Sequence, residues 1–293
     1  MSASQGGSAD AGTSVGAAVR QLTRQFTAAG IDSAPLDARL LVQHAAGLAH
    51  EDLLRDPAAL LSPATMQTLA GLAARRAARE PVARILGHAP FLDLDLVLSA
   101  ETLMPRPETE LLVETCVGLL SGEPAPLIAD AGTGSGCILL GLLATLPHAR
   151  GIGIDCSEGA LDVARGNARR LGLAQRCNFL AGDWLAGHEK IFDLVVSNPP
   201  YIRSGDIAAL AAEVRDHDPR AALDGGADGL DAYRMLVPQA AGVLREGGFL
   251  ALETGTGQTA AVMELMRTAG FGSLHVAHDL AGHDRIVSGQ RTG

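Results

Sequence analysis

The sequence predicts an α/β fold, a parallel sheet flanked by helices, preceded by a small helical bundle and a short hairpin. Three observations carry this. From residue 126 onward, short apolar runs alternate with helical patterns, as in successive βαβ units. Between residues 92 and 99, leucines alternate with mostly polar residues at period two. Between residues 14 and 84, apolar residues recur at helical spacing.

The elements follow in order. Residues 1–13 are rich in Ser, Gly and Ala and lack the basic start and apolar stretch of a signal peptide, so they read as a disordered tail. Residues 14–90 form the helical domain. Its first helix shows Val19, Leu22, Phe26 and Ala29, its second Leu36, Leu40, Leu41 and Ala45, and its third Leu69, Leu72 and Ala73. Asp32, Ser33, Pro57 and Pro63 punctuate these runs. Arg75, Arg76 and Arg79 at the end of the third helix read as a solvated face. Residues 91–107 form the hairpin linker, with Leu92, Leu94, Leu96 and Leu98 alternating with Asp93, Asp95, Val97 and Ser99. Residues 108–293 form the α/β domain, with strands over 127–130, 151–155, 178–180, 192–197 and 248–253 and two more near Leu274 and Ile286. Its helices cover 137–146, 158–171, 229–244 and 258–269. In such a sheet a ligand sits at the C-terminal edge of the strands.

Composition narrows the function classes. The chain has 293 residues, an apolar fraction of 47% and a net charge of −10. Residues 14–90 carry eight Arg against six acids, whereas residues 91–293 carry 15 basic residues against 26 acids. An acidic main domain argues against grip on a phosphate backbone by bulk electrostatics. No apolar run is long enough to span a bilayer, and the expected compartment is the cytoplasm. Cys116, Cys137, Cys156 and Cys177 include no Cys-x-x-Cys pair. Neither a metal site nor a disulfide framework is expected, and the four read as small buried residues.

The first chemical signature follows the strand over 127–130. Gly132-Thr133-Gly134-Ser135-Gly136 leads into a helix, and glycines at these positions let the backbone turn and approach a ligand closely. The spacing is Gly-x-Gly-x-Gly, not the Gly-x-Gly-x-x-Gly of a dinucleotide cradle. Asp130 precedes the turn, where a carboxylate can meet a cationic amino group. Asp155 ends the next strand and can accept from both ribose hydroxyls. Asp183 and Trp184, the only tryptophan, follow the third strand and are placed to flank an adenine. Acids and glycines at successive strand ends point to an adenosine ligand.

The second signature is the most informative. The strand over 192–197 runs into Asn198-Pro199-Pro200-Tyr201. Two prolines cannot continue a helix and restrict the residue before them, so they build a rigid shelf. The Asn198 side-chain oxygen and the Pro199 carbonyl can accept both protons of a planar –NH2 group, while Tyr201 packs on its plane. The nitrogen is then aimed at the sulfonium methyl of S-adenosylmethionine for in-line displacement. Positioning of this kind supplies about 7–11 kcal/mol of barrier reduction, electrostatic preorganisation adds to it, and no strong base is required.

Other stretches complete a resemblance: Pro81-Val82-Ala83-Arg84-Ile85-Leu86-Gly87, Met104-Pro105-Arg106-Pro107-Glu108-Thr109-Glu110, the run from His217-Asp218-Pro219-Arg220 to Gly225-Gly226, and Asp279 to Arg285. With the two signatures, they resemble the bacterial release factor glutamine methyltransferases, the PrmC/HemK family, from about Ser14 to the end. The resemblance implies a class I S-adenosylmethionine-dependent methyltransferase (Rossmann-like) domain behind a helical substrate-recognition domain. It implies methylation of the glutamine in the Gly-Gly-Gln motif of class 1 peptide chain release factors. Gly132, Thr133, Gly134, Ser135, Gly136, Asp155, Trp184 and Asn198 would contact the cofactor, and Asn198, Pro199, Pro200 and Tyr201 would hold the glutamine. The chain departs from the family pattern at Met104 and over 88–93. Taken alone, Pro107, Glu108 and Glu110 are simply a good helix start.

Two other functions fit parts of the pattern. The tetrad suits an adenine, cytosine or guanine amino group after base flipping, or a ribosomal-protein glutamine. A cofactor-binding module without catalysis is the third possibility. The acidic main domain and the intact tetrad favour the release-factor reading, with no membrane or nucleic-acid partner and a monomeric chain.

Overall fold

The computed structural model describes residues 12–189 and 191–292 and divides into two compact units, residues 1–86 and 87–293. Most of the tail expected over 1–13 lies outside the described residues.

The first unit is helical: α1 (Val15–Ala28), α2 (Ala34–Ala46), α3 (His50–Arg55), α4 (Pro63–Ala77) and α5 (Val82–Leu86). Ser14 and Ser62 cap α1 and α4 by accepting from Ala17 N and Thr65 N. Leu22, Phe26, Ala38, Leu41, Val42, Leu69 and Ile85 form the core. Of the three arginines expected to form a solvated face, Arg75 is exposed, but Arg76 and Arg79 turn to protein partners. Arg76 is buried and its Nε donates to Asp37 Oδ2 at 2.7 Å, an ion pair 6% and 8% exposed. Arg75 pairs with Glu80, and Arg79 donates to Gly30 O at 2.7 Å. Helical spacing places Arg75 and Arg76 on α4 but does not show that α2 presents Asp37 to Arg76.

The second unit opens with a hairpin, β1 (His88–Phe91) and β2 (Leu94–Val97), paired antiparallel. It starts at His88, before the alternating stretch, and turns tightly at Leu92, where φ is +50°. The atypical segment over 88–93 is thus part of a strand and its turn, with Phe91 fully packed in the core of this unit. Glu110 of α6 (Pro107–Leu119) fixes the turn by accepting from Leu92 N at 2.8 Å. Asn167 accepts from Val97 N at 2.8 Å and donates to Val97 O.

The remaining elements are β3 (Leu127–Ala131), α7 (Cys137–Thr145), β4 (Arg150–Asp155), α8 (Glu158–Arg170), β5 (Cys177–Ala181), β6 (Phe192–Ser197), α9 (Ala212–Arg215), α10 (Asp231–Val243), β7 (Leu244–Glu253), α11 (Thr259–Thr268), β8 (Phe271–His278) and β9 (Asp284–Arg291). The strands form one seven-stranded sheet in the order β5-β4-β3-β6-β7-β9-β8. The pairs from β5 through β7 are parallel, and β9 runs antiparallel to both neighbours. Strands β3 and β6 are buried on both faces, which explains their unbroken apolar character. One core lies between the sheet and α6, α7 and α8, the other between the sheet and α10 and α11. The chain steps outward from β3 through β4 to β5, then returns to β6 on the opposite side of β3. That reversal opens a crevice at the C-terminal ends of β3 and β6. Cys116 and Cys177 are buried as expected, Cys137 is half-buried, and Cys156 is exposed. Among the described residues no helix is long and apolar enough to cross a membrane.

The Asp37–Arg76 pair gives the first prediction. Asp37→Ala takes the carboxylate away from a buried guanidinium that keeps its bond to Glu80 O, so chemical unfolding followed by circular dichroism should show the helical unit destabilised by about 3 kcal/mol, the lower end of the cost of breaking a buried pair.

Candidate active site

The two signatures meet because β3 and β6 are neighbours. Asp130 is in register with Val196, and Ser197 Oγ donates to Ala131 O at 2.6 Å. The glycine loop and the proline shelf therefore leave the sheet side by side, one strand spacing apart, about 4.8 Å.

Each part of the glycine loop has a local cause. Gly132 N and Thr133 N both donate to Ile154 O, at 2.8 and 3.0 Å, which folds the loop over the end of β4. Gly132, Gly134 and Gly136 have φ of +75°, +56° and +82°, a region that favours glycine. The Trp184 ring stands 3.4 Å from where a Cβ on Gly132 would lie. Trp184 and the loop thus wall the same crevice, while Asp183 beside it is exposed. Asp155 accepts from Gly134 N at 2.8 Å through Oδ2 and from Ser157 N at 2.9 Å through Oδ1. Asn167, which holds the hairpin, also donates to Ser135 O at 3.0 Å.

Asp130 lies behind the loop. It is fully buried, and its Oδ2 accepts from Thr133 Oγ1 at 2.7 Å and from Leu139 N at 3.3 Å. Burial raises its pKa to about 7, against the lowering pull of these bonds. Asp130 Oδ1 and Ser135 Oγ are buried without a hydrogen-bond partner among the described residues. Buried polar atoms of this kind call for a partner. Beside glycines that let a ligand approach the backbone and the acids Asp155 and Asp183, they suit a ligand that is cationic and rich in donors. The residues present fit S-adenosylmethionine.

The shelf is held by elements far away in sequence. Asn198, Pro200 and Tyr201 are half-buried and Pro199 is buried. Gln258 Nε2 donates to Tyr201 O at 2.9 Å and to Gly229 O at 3.1 Å, and Gly225 N donates to Ile202 O at 2.8 Å. A Cβ on Gly225 would stand 2.7 Å from Pro200 O and 2.9 Å from Tyr201 Cα. Only glycine lets the 224–230 segment pass this close to the shelf.

A buried network lies against the shelf. Asn198 Nδ2 donates to Thr109 Oγ1 at 3.1 Å, and Thr109 Oγ1 donates to Glu253 Oε2 at 2.8 Å. Tyr201 OH donates to Glu253 Oε1 at 3.4 Å, and Tyr233 OH to Glu253 O at 2.8 Å. Glu253 is 2% exposed, and burial raises its pKa to about 7. Burial also raises the Tyr201 phenol, keeping it neutral. Met104 N and Arg106 Nη2 both donate to Asp218, at 3.3 and 2.5 Å, so the stretches over 104–110 and 217–226 are joined by one carboxylate. Sequence reasoning placed Asn198, Tyr201 and the loop correctly at the same strand edge. The 104–110 stretch belongs to the family resemblance and also reads as a helix start, but nothing in the sequence ties Thr109 to Glu253. Each alone carries a signal, since Thr109 sits between the two acids of a polar helix start and Glu253 ends a strand at the ligand edge.

The comparisons with known proteins bear on this geometry. Residues 17–87 match the PrmC N-terminal domain, and residues 127–279 match a methyltransferase domain. The release factor glutamine methyltransferase of Rhodospirillum rubrum is 47% identical over 98% of this chain and 89% of its own length. The chain belongs to the release factor glutamine methyltransferase family. That of Bradyrhizobium diazoefficiens is 48% identical over 96% of each chain. Among solved structures, the hMettl16 catalytic domain in complex with the MAT2A 3′UTR hairpin 6 covers 68% of this chain, with 76% of its own length matched, at 16% identity and a TM-score of 0.57. That likeness is one of fold alone: the α/β unit has the class I S-adenosylmethionine-dependent methyltransferase fold.

Two predictions come from this geometry. Gly225→Ala must push back the backbone of Pro200 and Tyr201, so methyl transfer should fall at least tenfold, about 1.4 kcal/mol of barrier, while calorimetry finds cofactor affinity retained. The second concerns pH. The folded pKa values of Asp130 and Glu253 lie near 7, above those of unfolded carboxyls. Their contribution to stability is fully present below the unfolded values near 4 and is lost as pH rises through about 7. The melting temperature should therefore fall between pH 5 and 8, and Glu253→Gln should flatten that slope in differential scanning calorimetry.

Proposed function

We propose that this chain transfers a methyl group from S-adenosylmethionine to the side-chain amide nitrogen of the glutamine in the Gly-Gly-Gln motif of class 1 peptide chain release factors. The observation that carries the reading is the orientation of Asn198. Its amide nitrogen is engaged by Thr109 Oγ1, which leaves its oxygen to accept from an incoming –NH2 group. Family membership over nearly the full chain supports the same substrate.

The cofactor, when bound, supplies an electrophilic methyl on a sulfonium. Asp155 and the loop of Gly132, Thr133, Gly134, Ser135 and Gly136 would hold it, with Asp183 and Trp184 beside its base, and Asp130, which braces the loop from behind, would supply a carboxylate for its cationic end. Asn198 Oδ1 and the Pro199 carbonyl each accept one proton of the glutamine amide. This favours positive charge developing on nitrogen as the new N–C bond forms. Pro200 stiffens the shelf, and Tyr201, held by Glu253 at its hydroxyl, lies against the amide plane. The amide proton leaves to solvent after transfer, so no side chain need act as a strong base. The helical unit, read over 14–90, serves to recognise the protein substrate, with 91–107 as the linker. The chain is taken to act in the cytoplasm as a monomer, on protein and not on nucleic acid, consistent with its net charge of −10.

Incubation with labelled cofactor and purified release factor, RNA or DNA tests the reading. Mass spectrometry should find one added methyl on the glutamine of the Gly-Gly-Gln peptide and none on either nucleic acid. Asn198→Ala should slow transfer by about 10²–10³-fold, the usual cost of losing one such polar group. Transfer to RNA or DNA in preference to the release factor would overturn the reading.

A further inference from the structure

We infer that Glu253 and Thr109 form a positioning relay that fixes which end of the Asn198 amide the methyl-accepting group meets and that anchors the Tyr201 ring beside it by its hydroxyl. The inference rests on the reaction proposed above and deepens it, for neither residue touches the substrate.

The argument is one of proton counting. A threonine hydroxyl has one proton and two lone pairs, and an ionised carboxylate only accepts. Thr109 gives its proton to Glu253 Oε2 at 2.8 Å, so it meets Asn198 only as an acceptor, and Asn198 Nδ2 lies 3.1 Å away as donor. Were the Asn198 amide turned over, its Oδ1 would face the Thr109 lone pairs with no proton between them. The other carboxylate oxygen accepts from Tyr201 OH, and Tyr233 OH holds the Glu253 backbone carbonyl. One buried group at the end of β7 therefore sets both residues that flank the acceptor site. It does so from residues 109 and 253, which lie next to the shelf only in the fold.

The relay has one direction only while Glu253 is ionised. A protonated Glu253 has its own proton to donate. Thr109 is then free to point its hydroxyl at Asn198, and the amide can turn and offer –NH2 where an acceptor is needed. The groups facing Glu253 are Glu108 on α6, Cys137 at the start of α7, Tyr201 on the shelf, Tyr233 on α10 and Arg285 on β9. Burial dominates, Glu108 adds to it, and Thr109, Tyr201 and Arg285 oppose it, leaving the pKa raised to about 7. Cys137, pushed up to about 12 by burial, is neutral. Activity is thus present above about 7 and lost as pH falls through that value.

Full-length protein with release factor tests the relay by kinetics and by nuclear magnetic resonance. Thr109→Val and Glu253→Gln should each lower kcat about tenfold to a hundredfold, or about 1.4–2.7 kcal/mol, with the KM for cofactor changed less than about twofold. Thr109→Ser, which keeps the hydroxyl, should restore kcat. The acid limb of the kcat profile should disappear in Glu253→Gln. Without any substrate, the side-chain amide protons of Asn198 should shift with pH around 7 in the wild type and stay fixed in Glu253→Gln. Full kcat in Thr109→Val, or Asn198 signals unmoved in the wild type between pH 5.5 and 8.5, overturns the relay. The resonance arm needs no methyl transfer. A wild type that leaves release factor unmethylated but shows titrating Asn198 signals sinks the substrate assignment alone. An active wild type with silent signals sinks the relay alone. If Glu253→Gln fails to fold, the Thr109 pair and the wild-type titration still decide.

Discussion

The parallel pairing of β3 with β6 is the constraint from which the site follows. Ile128, Ala129 and Asp130 stand opposite Leu194, Val195 and Val196, and the Ser197 hydroxyl clips the end of β6 to the carbonyl of Ala131. Both strands are buried on both faces, so a one-residue slip would turn every side chain to the wrong layer and cost the packing of two cores. Register is therefore set by burial, well away from the chemistry. A loop that must bend and a shelf that must not are delivered to adjacent positions. Neither motif needs to find the other.

The opposition between loop and shelf explains where glycine and proline fall. The loop takes positive φ at three positions and closes on Ile154 and Asp155 through backbone groups. The shelf gains stiffness from Pro199 and Pro200, but prolines donate no hydrogen bond, so the surroundings must supply the bracing. Gln258 and the 224–230 segment do so, and they reach the shelf because Gly225 and Gly229 present no side chain to it. The glycines that follow the Asp218 stretch are thus spatial complements of the prolines, about 25 residues downstream in the sequence.

Much of this was legible in the sequence. The strands from β3 to β7 are apolar runs too short to be helices, and the period-two stretch before α6 is a hairpin. The loop and tetrad sit at strand ends, where ligand edges lie. What could not be read are partners brought together only by the fold. Arg76 meets Asp37, 39 residues away, and Thr109 meets Glu253, 144 residues away. Periodicity reports which face a residue occupies, not what stands opposite. Residues 207–222 stayed unassigned because two single 3-10 turns and a four-residue helix are too short to show any period.

Two arginines near the shelf are already paired. Arg106 is paired with Asp218, and Arg285 with Asp279, with Glu108 at 3.7 Å. A neutral amide entering here brings two N–H donors, one carbonyl acceptor and an apolar stem, and asks none of those pairs to open. The buried Glu253 sharpens the point. A carboxyl whose pKa is raised by burial lowers stability when ionised, so its ionised form is costly at the pH where the relay orders Asn198. A neutral residue in its place would relieve that cost and lose the one feature it offers: two acceptors with no proton of their own, which leave the hydroxyls of Thr109 and Tyr201 a single way to point.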